Sequence, residues 1–159
     1  MIHVVLYEPE IPPNTGNIIR LCANTGTVLH LVRPLGFELD DKQLQRAGLD
    51  YHEWARVNVH DSLDDFMDNV RPEHVFALST KGTLCYSDVD FSALDNIALL
   101  FGPETRGLPA SVRESLPANQ VLRIPMQADS RSLNLSNSAA IIVYEVLRQK
   151  NFQDSNNLS

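Results

Sequence analysis

An α/β domain with a mostly parallel sheet flanked by helices is the fold predicted by this sequence of 159 residues. Two observations predict it. Short apolar runs recur along the chain, and the segments between them repeat their apolar residues at helical spacing, the alternation expected of strands joined by crossover helices. No internal repeat, low-complexity linker or shift in composition interrupts the pattern. Residues 1–150 therefore read as one domain and the polar segment 151–159 as a frayed tail.

The first strand is assigned to HVVLY at 3–7, because the N-terminus carries neither the basic leader nor the long apolar stretch of a signal peptide. A helix follows at 15–25, with Pro12, Pro13 and Asn14 setting its start. Its spacing puts Ile18, Ile19, Cys22 and Ala23 on one apolar stripe, and Gly16, Asn17, Arg20 and Asn24 on the opposite face. Further strands are assigned to VLHLV (28–32), ARVNV (55–59), HVFALS (74–79), NIALLF (96–101) and QVLRIP (120–125). Helices are assigned to 41–47, 61–69, 109–115 and 134–149, with Pro109 suited to a first helical turn.

Thirteen basic residues against twenty acidic ones give a net charge of −7, so a polyanionic partner would have to meet a focused basic patch. Much of the acid lies at 61–69 and 88–95, whereas Arg20, Lys42, Arg46, Lys81, Arg106 and Arg131 fall in or near glycine-rich and polar loops. Two cysteines make no disulfide framework, which suits a reducing cytosol, and Cys22 reads as a buried free thiol. No apolar run is long enough to span a membrane. The five histidines, at 3, 30, 52, 60 and 74, show no ligand spacing with the cysteines, so no metal is expected. Each reads as a surface or strand-end residue.

Three polar segments abut the apolar runs: NTGNIIR at 14–20, LFGPETRGL at 100–108 and IPMQADSRSLNLSNS at 124–138. In the first, the helix amides are suited to an anion, but GxGxxG is absent, which argues against a dinucleotide fold. By itself this segment makes Arg20 a surface arginine. In the second, Gly102 and Gly107 bracket a loop stiffened by Pro103, so backbone can approach a flat ligand closely. An ordinary strand-to-helix turn, with Glu104 and Arg106 paired at the surface, fits equally well. In the third, Ser130, Ser132, Asn134, Ser136, Asn137 and Ser138 crowd the start of the last helix, where capping uses only one or two of them. Arg131 among them is suited to a bidentate phosphate contact.

Together these segments, with STKG at 79–82, resemble the motifs of the SPOUT family of RNA methyltransferases, nearly end to end. The resemblance implies an α/β fold closed by a C-terminal trefoil knot, in which knotted loops hold S-adenosylmethionine in a bent conformation. Matched motif by motif, it implies methyl-donor contacts at Leu78, Thr80, Gly82, Gly102, Glu104, Ile124, Met126, Ser132 and Leu133. It places Arg20 beside the reacting ribose, with Ser132 and Asn134 as catalytic candidates, and puts RNA contacts at Asn14, Arg20, Lys42, Arg46 and Arg131. Backbone groups are expected to dominate the donor contacts.

The subgroup most resembled methylates the ribose 2′-OH of the wobble cytidine or uridine in leucine tRNAs. Another tRNA position, ribosomal RNA, and an RNA-binding module without catalysis remain alternatives. Arginine is a poor base, with an ordinary pKa above about 12, so Arg20 is assigned to orienting phosphate and stabilising alkoxide charge, with a base role as the alternative. Where the family pattern carries two arginines, residues 40–53 have Gln43 and Gln45, which thins the charge on an RNA-facing helix. The last helix carries one apolar stripe (Leu135, Ala139, Ile142, Val143, Val146) and more apolar surface at Ala140, Ile141 and Tyr144. A helix apolar on two sides needs two partners; the resemblance implies that the second is the same helix of another copy. The expected partners are thus tRNA and a second subunit, with neither DNA nor membrane, in the cytoplasm.

Overall fold

The structure, a computed structural model, describes residues 1–153. Its strands are β1 (Ile2–Tyr7), β2 (Val28–Val32), β3 (Asn58–His60), β4 (His74–Leu78), β5 (Leu84–Cys85), β6 (Ile97–Phe101) and β7 (Val121–Arg123). Its helices are α1 (Pro12–Thr25), α2 (Asp41–Arg46), α3 (Tyr51–Trp54), α4 (Leu63–Val70), α5 (Ala110–Arg113) and α6 (Leu135–Gln149). One sheet holds all seven strands in the order β3-β2-β1-β6-β4-β7-β5, and every pair is parallel. The connection direction reverses beside β1 and β6, which leaves a crevice at their carboxyl ends.

Alternation along the strands sorts the core into two layers. Ile2, Val4 and Leu6 of β1 join Leu29, Leu31, Leu99 and Phe101 beneath α1 and α6, while Val5, Val32, Ala98 and Leu100 face Phe66 of α4. Helix α1 buries Ile18, Ile19 and Cys22 as the spacing predicts, but Ala23 is exposed, and Thr15 and Thr25 occupy the buried stripe instead. Thr25 is tolerated there because its hydroxyl donates to the Leu21 carbonyl at 2.8 Å and lies 2.8 Å from the Thr27 hydroxyl. Burial pushes the Cys22 thiol up to about 12, so it stays protonated. On α6, Ala139, Ile142, Val143, Val146 and Leu147 are buried, and Tyr144 is 45% exposed.

Two short elements, β5 and α3, escape the sequence pattern because neither is long enough to show a period. The third strand begins at Asn58 rather than Ala55, since the Val57 amide turns back to the Trp54 carbonyl at 3.1 Å. The predicted helix at 109–115 shortens to α5, with Pro109 as its cap. Beyond Lys150, the Phe152 amide donates to the Leu147 carbonyl at 2.8 Å, which holds the start of the tail on α6. Residues 154–159 of the expected frayed tail lie outside the described residues.

The histidine reading is corrected at His30, which lies inside β2; His60 ends β3 and His3 stands second in β1, but neither is at the surface. His3, His30 and His60 are buried and joined across β1, β2 and β3: His3 Nδ1 lies 2.9 Å from His30 Nε2, and His30 Nδ1 lies 2.9 Å from His60 Nε2. The chain has a direction. Asn96 donates its amide to the Arg71 carbonyl, so its oxygen faces His3 Nε2 at 3.0 Å and His3 must donate there. His3 Nδ1 then accepts from His30, and His30 Nδ1 from His60, so the bonding assigns His3 and His30 the neutral Nε2–H form and makes His60 a donor through Nε2. Burial lowers the pKa of each, that of His30 to about 3.

Gly82 marks a crossing of backbones: a Cβ there would stand 2.5 Å from the carbonyl of Leu122 in β7. The Ser79 amide, at the head of the same loop, donates to that carbonyl at 2.9 Å.

Two outcomes follow for stability. Free histidines protonate below about 6.5 while the buried rings resist. The unfolded state therefore binds more protons as pH falls from about 6.5 toward 3, and stability drops by up to about 1.4 kcal/mol per pH unit for each ring held neutral. Urea midpoints that stay flat between pH 7 and 5.5, above the carboxylate range, would contradict the neutral ladder. Gly82→Ala should cost roughly 1–3 kcal/mol, because β7 backbone rather than a flexible side chain must move, and urea unfolding of the variant measures it.

Candidate active site

The loops that leave the carboxyl ends of β1, β4, β6 and β7 converge on one cleft of about 420 Å³. Leu78, Phe101, Leu108, Ile124, Met126, Leu133 and Leu135 give it apolar walls, and Ser79, Thr80, Glu104, Ser132, Asn134 and Ser138 supply polar groups. Eight of the nine proposed donor contacts line this cleft; the ninth, Gly82, does not, and its backbone packs on β7 instead. Gly102 lies against the backbone of Gly107 and Leu108, so a side chain there would collide with the loop that closes the cleft.

One hydrogen-bonded chain joins the three polar segments. Glu104 accepts the Glu10 amide at 2.9 Å through one oxygen, and the Ile11 amide at 2.5 Å and the Asn14 side-chain amide at 3.4 Å through the other. Helix α1 has no side-chain cap of its own at Ile11, so Glu104 supplies an acceptor from a loop some ninety residues away. Asn14 passes the link on, accepting from the Asn134 amide at 3.0 Å. Asn134 caps α6, its oxygen taking the amides of Ser136 and Asn137 and the Ser136 hydroxyl. In return Glu10 accepts from the amide and hydroxyl of Thr105, at 2.9 and 2.7 Å, which lowers the Glu10 pKa.

This network revises several assignments. Glu104 does not pair with Arg106, which sits instead near Glu8 and Glu10 at 3.6 and 3.7 Å. Asn14 is 7% exposed with its amide engaged at both ends, so its side chain is not free to contact RNA. Asn134 reaches the cleft as the cap of α6. Ser132 also lines the cleft, with no side-chain partner among the described residues, and Arg131 beside it is exposed.

Arg20 lies elsewhere. It borders a second hollow of about 320 Å³ between α1 and residues 37–49, none of whose lining residues lines the cleft. Its guanidinium pairs with Glu53, Nε to Oε2 at 3.0 Å and Nη2 to Oε1 at 3.3 Å, and Nη2 also donates to the Gly48 carbonyl. The Glu53 hydrogen bonds raise the Arg20 pKa, and the reciprocal bonds lower that of Glu53. Arg20 is therefore a permanent cation. Lys42 and Arg46 are exposed on the neighbouring α2. Sequence reasoning passed over Glu10 and Glu53; the first has no local signal, but DYHE at 50–53 carries the spacing of a capping box.

Among the described residues, no helix is long and apolar enough to cross a membrane, and no group of three or more His, Cys, Asp or Glu could hold a metal ion. The chain is 60% identical over 154 residues to a tRNA (cytidine(34)-2′-O)-methyltransferase of Yersinia pestis, covering 94% of each. A structure described as giving insights into the 2-OH methylation of C/U34 on tRNA superposes with a TM-score of 0.85 at 43% identity, over 95% of this chain and 97% of that one. The SpoU methyltransferase AviRb of Streptomyces viridochromogenes, in complex with the cofactor AdoMet, gives a TM-score of 0.78 at 26% identity, over 94% of this chain and 57% of that one. The profile of the SpoU rRNA Methylase family matches residues 1–144; strand-end loops, cleft and sequence together make this chain a member of that family.

Proposed function

We propose that this chain methylates the ribose 2′-OH of the wobble cytidine or uridine of tRNA, in leucine isoacceptors, with S-adenosylmethionine as donor. The observation that carries this reading is the cleft at the carboxyl ends of the strands, lined by residues of the second and third polar segments and by Asn14 of the first. Its residues fit the donor: apolar side chains at Leu78, Ile124, Met126 and Leu133 suit an adenosine, and the loop backbone offers amides and carbonyls for its polar edges. Bound there, S-adenosylmethionine supplies a methyl carbon activated by a positive sulfur. The trefoil knot belongs to the same reading, and the packing of Gly82 against the backbone of β7 is consistent with it.

In the transfer, the ribose oxygen forms a bond to the methyl carbon as the bond to sulfur breaks, and the 2′-OH proton leaves to a base or to water. The chain's part is positioning, which for well-oriented reactants supplies up to about 7–11 kcal/mol. The cleft holds the donor, and Arg20 orients phosphate and stabilises charge building on the ribose oxygen. With its cation reinforced by Glu53, Arg20 is unsuited to removing the proton.

Because Arg20 does not line the cleft of its own chain, the reading includes a homodimer. The remaining apolar surface of α6 around Tyr144, with Ile11, Met126 and Leu133 exposed near the cleft, supports a two-fold partner there. Arg20 of one copy then serves the cleft of the other. Lys42, Arg46 and Arg131 make the RNA contacts, and the chain works in the cytoplasm.

Nucleoside mass spectrometry of tRNA from a deletion strain should show loss of the methyl group from ribose 34 of leucine isoacceptors, restored by the intact gene and not by one encoding Arg20→Ala. Sedimentation at micromolar protein should give twice the 17.8 kDa chain mass. Full 2′-O-methylation in the deletion strain would reject the activity; a 17.8 kDa species alone would reject the dimer.

A further inference from the structure

Residues 47–53, AGLDYHE, line no part of the cleft, yet two of their groups meet at Arg20. Gly48 adopts φ +79 after α2, a conformation open to glycine, and turns its carbonyl toward Arg20 Nη2. Glu53, in the first turn of α3, brings both carboxylate oxygens to the Nε–Nη2 edge. The Asp50 amide donates to Oε1 at 2.9 Å and so holds that carboxylate in turn. The Glu53 side chain is 10% exposed and that of Arg20 50%. The anchored edge thus faces the protein, and Nη1 is left without a partner among the described residues.

We infer that Glu53 is a positioning residue for methyl transfer: with the Gly48 carbonyl it fixes the Arg20 guanidinium in one orientation before RNA arrives. This rests on the reading of Arg20 as the group at the reacting ribose. A solvent-exposed arginine otherwise samples many rotamers, and ordering it at the transition state slows the reaction; a guanidinium gripped along one edge is ordered beforehand. Glu53 also offsets part of the positive charge, so its contribution is direction and not field strength. The two effects separate in kinetics. Removing the carboxylate charge leaves attraction to phosphate equal or stronger while productive orientation is lost, which lowers kcat without raising KM.

Glu53→Gln in the full chain is the test, since glutamine still accepts the Asp50 amide and preserves the start of α3. We expect kcat on tRNA to fall about 10- to 100-fold, KM for tRNA to stay level or drop, and S-adenosylmethionine affinity by calorimetry to be unchanged. In an Arg20→Lys background, where no fork remains to be gripped, the same substitution should cost less than about three-fold. Retention of kcat within about two-fold, or an equal loss in both backgrounds, overturns the inference and leaves the proposed reaction standing. Absence of methyl transfer to tRNA by the unsubstituted protein overturns the reaction itself, and the inference with it.

Discussion

The site depends on one hydrogen-bonded chain, Glu10 and Ile11 to Glu104, Glu104 to Asn14, Asn14 to Asn134. Both helices that flank one face of the sheet begin at this chain, α1 through amides held by Glu104 and α6 through its cap Asn134. A parallel sheet ends in loops that have no ladder to hold them, and each open helix start carries orphan amides. The same few side chains meet both needs here. The walls of the cleft therefore have defined positions although they come from four separate loops.

Charge follows the same logic of local arrangement over totals. A chain with net charge −7 gains no affinity for nucleic acid from its overall field, so attraction to a polyanion would rest on local cations. Arg20 is held by Glu53 and Gly48, while Lys42, Arg46 and Arg131 stand exposed. Acidic residues are also parts of this machinery: Glu104 and Glu10 lock two loops together, and Glu53 grips the arginine.

Much of the fold was legible in the sequence. The four longer strands, β1, β2, β4 and β6, and helices α1, α4 and α6 show their periods plainly, and the burial of Ile18, Ile19 and Cys22 follows from spacing. The strand and helix of only two and four residues, β5 and α3, have no period to read. Ala23 was misplaced because apolar character is a weak guide for so small a side chain, and the burial of Thr25 was not legible because its hydroxyl is satisfied by the Leu21 carbonyl and Thr27, partners that spacing does not reveal. The three buried histidines were missed for a similar reason: their compatibility with the core comes from one another, across three strands.

For the site, the sequence alone determined which segments matter, because glycine, proline and clustered amides beside apolar runs declare where backbone must be exposed. It also determined family membership, since the motifs extend over nearly the whole chain. Tertiary structure alone decided the roles within those segments. Asn14 became an internal link and not a surface contact, Gly82 a crossing point and not a cleft wall, and Arg20 the border of a separate hollow. The physical reason is that a side chain's function depends on which of its donors and acceptors are already engaged, and the partners that engage them lie 28 to 120 positions away along the chain.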